Sequence, residues 1–87
     1  PFGRQMAETF SNLAQSISRE PGLVWKIWTE NEDAREAGGI YLFEDEKSAW
    51  AYLHKHAARL KESGITEISA KICDVNSDLS RMTRGPC

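Results

Sequence analysis

Glu36-Ala37-Gly38-Gly39-Ile40-Tyr41-Leu42-Phe43-Glu44-Asp45-Glu46-Lys47-Ser48-Ala49 is the stretch that decides the fold. Two glycines read as a turn, because glycine takes positive φ or admits close approach without a steric cost. They feed a short apolar run, residues 40–43, with one β-branched residue and two aromatics, which reads as a strand. The run stops at an acidic cluster and becomes a helix pattern at once. Asp45 is the expected N-cap, with Ser48 three residues on.

Upstream, Phe2, Met6, Phe10, Leu13, Ala14 and Ile17 recur at spacings of three and four, the stripe of one amphipathic helix. Pro21-Gly22 ends it. Residues 23–30 read as a strand, with Leu23, Trp25, Ile27 and Thr29 on one side and Val24, Lys26, Trp28 and Glu30 on the other. Residues 31–37 read as a loop, so the two strands predict an antiparallel hairpin. Downstream, residues 45–63 predict a second helix with a stripe of Ala49, Leu53, His56, Ala57 and Leu60, Trp50 at its edge and Gly64 as the C′ residue. Residues 65–75 alternate as a last strand. The domain is expected to span residues 1–76, with a polar tail over 77–87.

The order helix, strand, strand, helix, strand predicts an α+β chain: a ferredoxin-like antiparallel sheet with two helices on one face, its first strand missing. In that fold the missing strand lies between the two strands that flank the second helix. Bare backbone groups along such an edge would be costly. The expectation is therefore that a short apolar strand belongs before Pro1, or that another chain supplies one.

Bulk properties agree with a single small soluble domain: 87 residues, 40% hydrophobic and 28% charged. A core of this size is marginal, and association with a second copy is an ordinary remedy. A net charge of −2 gives no basic face for nucleic acid, and no apolar run is long enough to span a bilayer. Cys73 and Cys87 are too few for a disulfide framework and read as free thiols in a reducing compartment. Glu44-Asp45-Glu46 diverges around a helix start and suits the helix dipole rather than a metal, so no metal site is expected.

The stretches Pro21-Gly22-Leu23-Val24-Trp25-Lys26-Ile27-Trp28-Thr29-Glu30, Glu36 to Phe43, Asp45-Glu46-Lys47-Ser48-Ala49, Ala51-Tyr52-Leu53, Lys55-His56, Ala58-Arg59-Leu60-Lys61 and Asp74-Val75-Asn76 resemble the YdhR family, whose members are described as monooxygenases. Ala70-Lys71 belongs to the same match, the stretches are long and gap-free, and the resemblance covers nearly the whole chain, from Pro1-Phe2-Gly3 to about Leu79. It implies membership of the dimeric α/β-barrel superfamily, in which two ferredoxin-like protomers pack sheet on sheet and a pocket lies between sheet and helices. It further implies a cytoplasmic homodimer and an oxygenase that acts on a small aromatic compound without a cofactor. A dimeric small-molecule binding protein without catalysis is the other reading on the same scaffold.

The candidate site residues follow from both readings. Trp25, Trp28, Tyr41 and Trp50 would form aromatic walls for a flat ligand, although each also suits core or interface packing. His56 lies near the apolar stripe and is the candidate base, since a near-neutral imidazole can take a proton from a dihydroxyarene. Its alternative is a histidine at the rim of the core. Lys26 and Lys71 lie on strands, and pairing with a carboxylate such as Glu30 is the simpler expectation for Lys26. Asn31 and Asn76 read as turn residues, and Arg81 and Arg84 as solvated.

Overall fold

The hairpin forms, and it is longer than the sequence pattern suggests. In the computed structural model, which describes residues 2–87, strands β1 (Leu23–Asn31) and β2 (Glu36–Phe43) pair antiparallel along their full length. The turn is only residues 32–35. The Asn31 side chain accepts a hydrogen bond from the Ala34 N–H (3.1 Å), and Arg35 takes a positive φ of 55°. Gly38 and Gly39, expected in the turn, lie inside β2 opposite Thr29 and Trp28, without positive φ. Their small size serves packing across the strands instead. A Cβ on Gly39 would come within 2.6 Å of Lys26 Cε.

A register shift between Leu23 and Trp25 inserts one extra residue into β1. Leu23 therefore sits opposite Phe43, and Trp25 opposite Leu42. The simple alternation of the sequence reading fails at this end, because a bulge moves every residue beyond it to the other face. Past the bulge, Trp25 and Ile27 share a face with Leu42 and Ile40, and Lys26 and Trp28 share the opposite face with Tyr41 and Gly39.

The first amphipathic stripe is present, but on two helices. These are α1 (Gly3–Thr9) and α2 (Ser11–Ser18), hinged at Phe10. Hydrogen bonds still cross the hinge, from Phe10 N–H to the Met6 carbonyl and from Ala14 N–H to the Phe10 carbonyl. The Ser11 hydroxyl donates to the Glu8 carbonyl (3.3 Å), the back-bonding by which serine bends a helix. Ile17 is the buried anchor of this stripe, and Phe10 stacks on Trp28 with centroids 6.4 Å apart. These helices thus cover the Lys26–Trp28 face. On the other face the cross-strand pair Ile27 and Ile40 is about half exposed, at 49% and 56%.

Helix α3 (Glu46–Glu62) starts as expected. The Asp45 carboxylate accepts from the Ser48 N–H at 2.7 Å, and that bond chiefly holds its pKa below the ordinary carboxylate value of 3.8. The helix ends in a Schellman turn: Ile65 N–H bonds the Leu60 carbonyl, Gly64 N–H bonds that of Lys61, and Gly64 has φ 88°.

The chain divides into two compact units, Pro1–Ala49 and Trp50–Cys87. In the second, residues 65–75 form no strand, contrary to the sequence reading. A strand needs a neighbour to satisfy its backbone, and among the described residues no segment pairs with residues 65–75. The tail is not wholly irregular. Asn76 caps a short helix α4 (Ser77–Met82) by accepting from the Leu79 N–H, and Arg81 pairs with Asp78 at 3.1 Å. The chain is α+β, with an antiparallel sheet and helices, consistent with a ferredoxin-like fold.

Candidate functional site

The first unit carries a half-open cleft of about 190 Å³ between α2 and β1. Ala14, Ile17 and Ser18 line it from the helix, and Leu23, Val24, Trp25, Lys26 and Trp28 from the strand. Trp25 and Trp28 stand on opposite faces of a regular strand, yet both reach this cleft. Both lie past the bulge in regular register, so Trp28 borders the cleft from the helix-covered face and Trp25 borders it from the other side of the strand.

Lys26 is the cationic group of the cleft wall. Its ammonium lies 3.4 Å from the Trp28 ring centroid and 4.7 Å from that of Tyr41. Attraction to the π faces contributes about 1 kcal/mol for such a half-buried cation. Gly39 leaves the space in which the lysine stem lies. The expected Lys26–Glu30 pairing does not form. Glu30 instead accepts from the Gly3 N–H with both oxygens, at 3.2 and 3.1 Å. Tyr41 also stacks on Phe43 (6.2 Å), so one aromatic row runs along this face from Phe10 through Trp28 to Tyr41 and Phe43.

The second unit holds His56 and Trp50. His56 is half-buried, stacked on the Tyr52 ring at 5.2 Å and 17°, and its Nδ1 lies 2.9 Å from Arg59 Nη2. Tyr52 is only 5% exposed. Trp50 is 47% exposed and tilts against His54 at 6.1 Å. Sequence reasoning passed over Tyr52 and Arg59. The signal was there: positions 52, 56 and 59 fall on one helical face.

A family model described as "Putative mono-oxygenase ydhR" matches residues 1–86. The chain belongs to the ydhR family. No curated protein matches this ydhR-family chain. Among the described residues, no group of three or more His, Cys, Asp or Glu side chains is placed to hold a metal ion, and no helix is long and apolar enough to cross a membrane. Cys73 and Cys87 are free and exposed.

Proposed function

We propose that this chain is a monooxygenase that oxidises a small, electron-rich aromatic compound in the α2–β1 cleft, as a cytoplasmic homodimer and without a cofactor. The observation that carries the ligand class is Lys26, whose ammonium lies against two aromatic rings in the wall of an indole-lined cleft. The family supplies the reaction type. Trp25 and Trp28 offer flat apolar walls. The Lys26 ammonium stabilises the ionised form of a phenol or enol, since opposite charge at close range favours the anion. Such an anion can pass one electron to dioxygen, after which the radical pair combines. For an anthrone-type substrate the ring CH2 becomes C=O, one oxygen atom enters the product and the other leaves as water with both methylene hydrogens. The protein contributes binding, water exclusion and charge stabilisation. The half-exposed Ile27–Ile40 pair supports a second copy on the open sheet face, because exposed apolar patches mark association surfaces.

The test is dioxygen uptake by the purified protein with anthrones or reduced quinols in metal-free, flavin-free buffer. Uptake is expected to fall at least tenfold in Lys26→Met. No uptake above that variant for any substrate refutes the reading. A thermal shift with aromatic ligands but no turnover assigns the cleft to a binding protein instead.

A further inference from the structure

We infer that Arg59 is a positioning residue that fixes the proton of the neutral His56 ring on Nε2. The Arg59 guanidinium has five N–H donors and no acceptor. At 2.9 Å from Arg59 Nη2, His56 Nδ1 must therefore be the acceptor and carry the lone pair. The neutral ring then bears its hydrogen on Nε2. One further contact holds this arrangement. The Tyr52 ring, itself buried, lies nearly parallel to the imidazole at 5.2 Å, and Tyr52, His56 and Arg59 share one face of α3.

Arg59 is not placed as a packing residue would be. An arginine that only packs runs its stem along apolar surface and sends its head to water. Here Nε is buried without a hydrogen-bond partner, while Nη2 is committed to the histidine. A buried unpaired donor is unfavourable. The Nη2 bond to His56 is the contact that gives this placement a use.

The chemical consequence is a change of role. A general base needs its lone pair facing the substrate, and in this pair the lone pair faces Arg59. Whatever meets His56 through Nε2 is a hydrogen-bond acceptor, such as a carbonyl, phenolate or enolate oxygen. Neutral His56 can then donate through Nε2 but cannot take a proton there, and Arg59 sets that property from behind. The tautomer stands whether or not the chain oxidises anything.

The test is 15N–1H correlation of the imidazole nitrogens in the uniformly 15N-labelled full chain. It is run at pH about 8.5, above the ordinary histidine range, with His54 distinguished by a His54→Gln variant. The expected wild-type pattern is a pyridine-like Nδ1 and a pyrrole-like Nε2. Arg59→Lys, which keeps a cationic donor, should preserve it. Arg59→Met should move the two nitrogen shifts toward each other as both tautomers become populated. His56→Phe keeps the stack on Tyr52 and should speed exchange of the Arg59 guanidinium protons, a readout that does not depend on the Arg59 variants folding. A pyrrole-like Nδ1 in the wild type overturns the inference. So do unchanged shifts in a folded Arg59→Met protein, or unchanged guanidinium exchange in His56→Phe. Loss of dioxygen uptake with the tautomer intact would count against the reaction and not against this pair.

Discussion

Gly22→Ala is expected to be among the most damaging single-methyl additions in the first unit. Gly22 has φ 79°, a conformation that L side chains rarely adopt. A Cβ there would lie 2.5 Å from Ser48 Oγ and 2.6 Å from Ser48 Cβ. The Gly22 carbonyl also accepts from the Glu44 N–H at 2.7 Å, which ties the entrance of β1 to the exit of β2. The left-handed backbone costs about 1–2 kcal/mol for alanine. Forcing Ser48 aside adds about 1–3 kcal/mol. The smaller entropy of the unfolded alanine chain returns about 0.4–1 kcal/mol. The net loss is about 1–5 kcal/mol, which for a chain of this length lowers Tm by roughly 4–35 °C. Thermal and urea unfolding followed by circular dichroism measure it. Ser48→Gly in the same background removes both clashing atoms and should recover the steric part but not the backbone part. A loss below about 0.5 kcal/mol in Gly22→Ala, or no recovery in the double variant, would refute this account of the turn.

Asp45 gives a pH dependence of known sign. Its pKa is lowered in the folded state, so its contribution is complete above the ordinary value of 3.8 and is lost as pH falls through the folded value. Asp45→Asn still accepts from the Ser48 N–H but does not titrate, so acid unfolding curves should lose that component; an unchanged acid limb would contradict it. Gly39→Ala should leave the fold intact, since Gly39 lacks positive φ, the closest contact is with the flexible stem of Lys26, and the Tyr41 ring at 3.1 Å has to give by only a few tenths of an ångström. It should displace the ammonium from the Trp28 ring and weaken aromatic ligands at least threefold, read by tryptophan emission in a Trp25→Phe, Trp50→Phe background. If the proposed dimer forms through the half-exposed sheet face, Ile27→Lys should shift sedimentation from dimer to monomer without unfolding the chain, and unchanged sedimentation would remove that face from the proposal.

Local chemistry explains what was legible in the sequence. The helical stripe from Phe2 to Ile17, the Asp45 cap and the Gly64 terminus depend on residues within four positions of one another, and the structure keeps all of them except the continuity of the first helix, which breaks at Phe10. The hairpin was legible, but its length was not. The Asn31 side chain and the left-handed Arg35 close a turn that composition alone reads as part of a longer polar loop. The bulge near Val24 was invisible, because nothing in a run of alternating apolar residues marks an extra one. Residues 65–75 carry a strand pattern without a strand, since a ladder is a property of two segments and not of one. At the candidate site the residue types were legible and their partners were not. His56 stood out for its imidazole, whereas the group that determines what that imidazole can do is an arginine one turn away.

Lys26 shows how a distant contact decides local chemistry. Glu30 lies two residues past Trp28 on the same strand, and strand alternation puts it on the same face as Lys26, so pairing looked natural. Helix α1, however, begins with no side-chain cap and no acidic residue in its first turn. Its N-terminal amides need an acceptor, and its dipole favours an anion there. Glu30 supplies both from across the fold, through two bonds to the Gly3 N–H. Lys26, left without that carboxylate, turns to the two rings. Glu30→Ala separates the two possibilities. It should cost about 0.5–1 kcal/mol, the usual worth of an exposed anion at a helix start, and it should fray α1 as seen by faster amide exchange at residues 3–6. The emission of Trp28 should not change, because the lysine was never held by Glu30. A stable α1 together with a shifted Trp28 emission would show that the carboxylate does pair with Lys26, and the cleft would then lose its available cation.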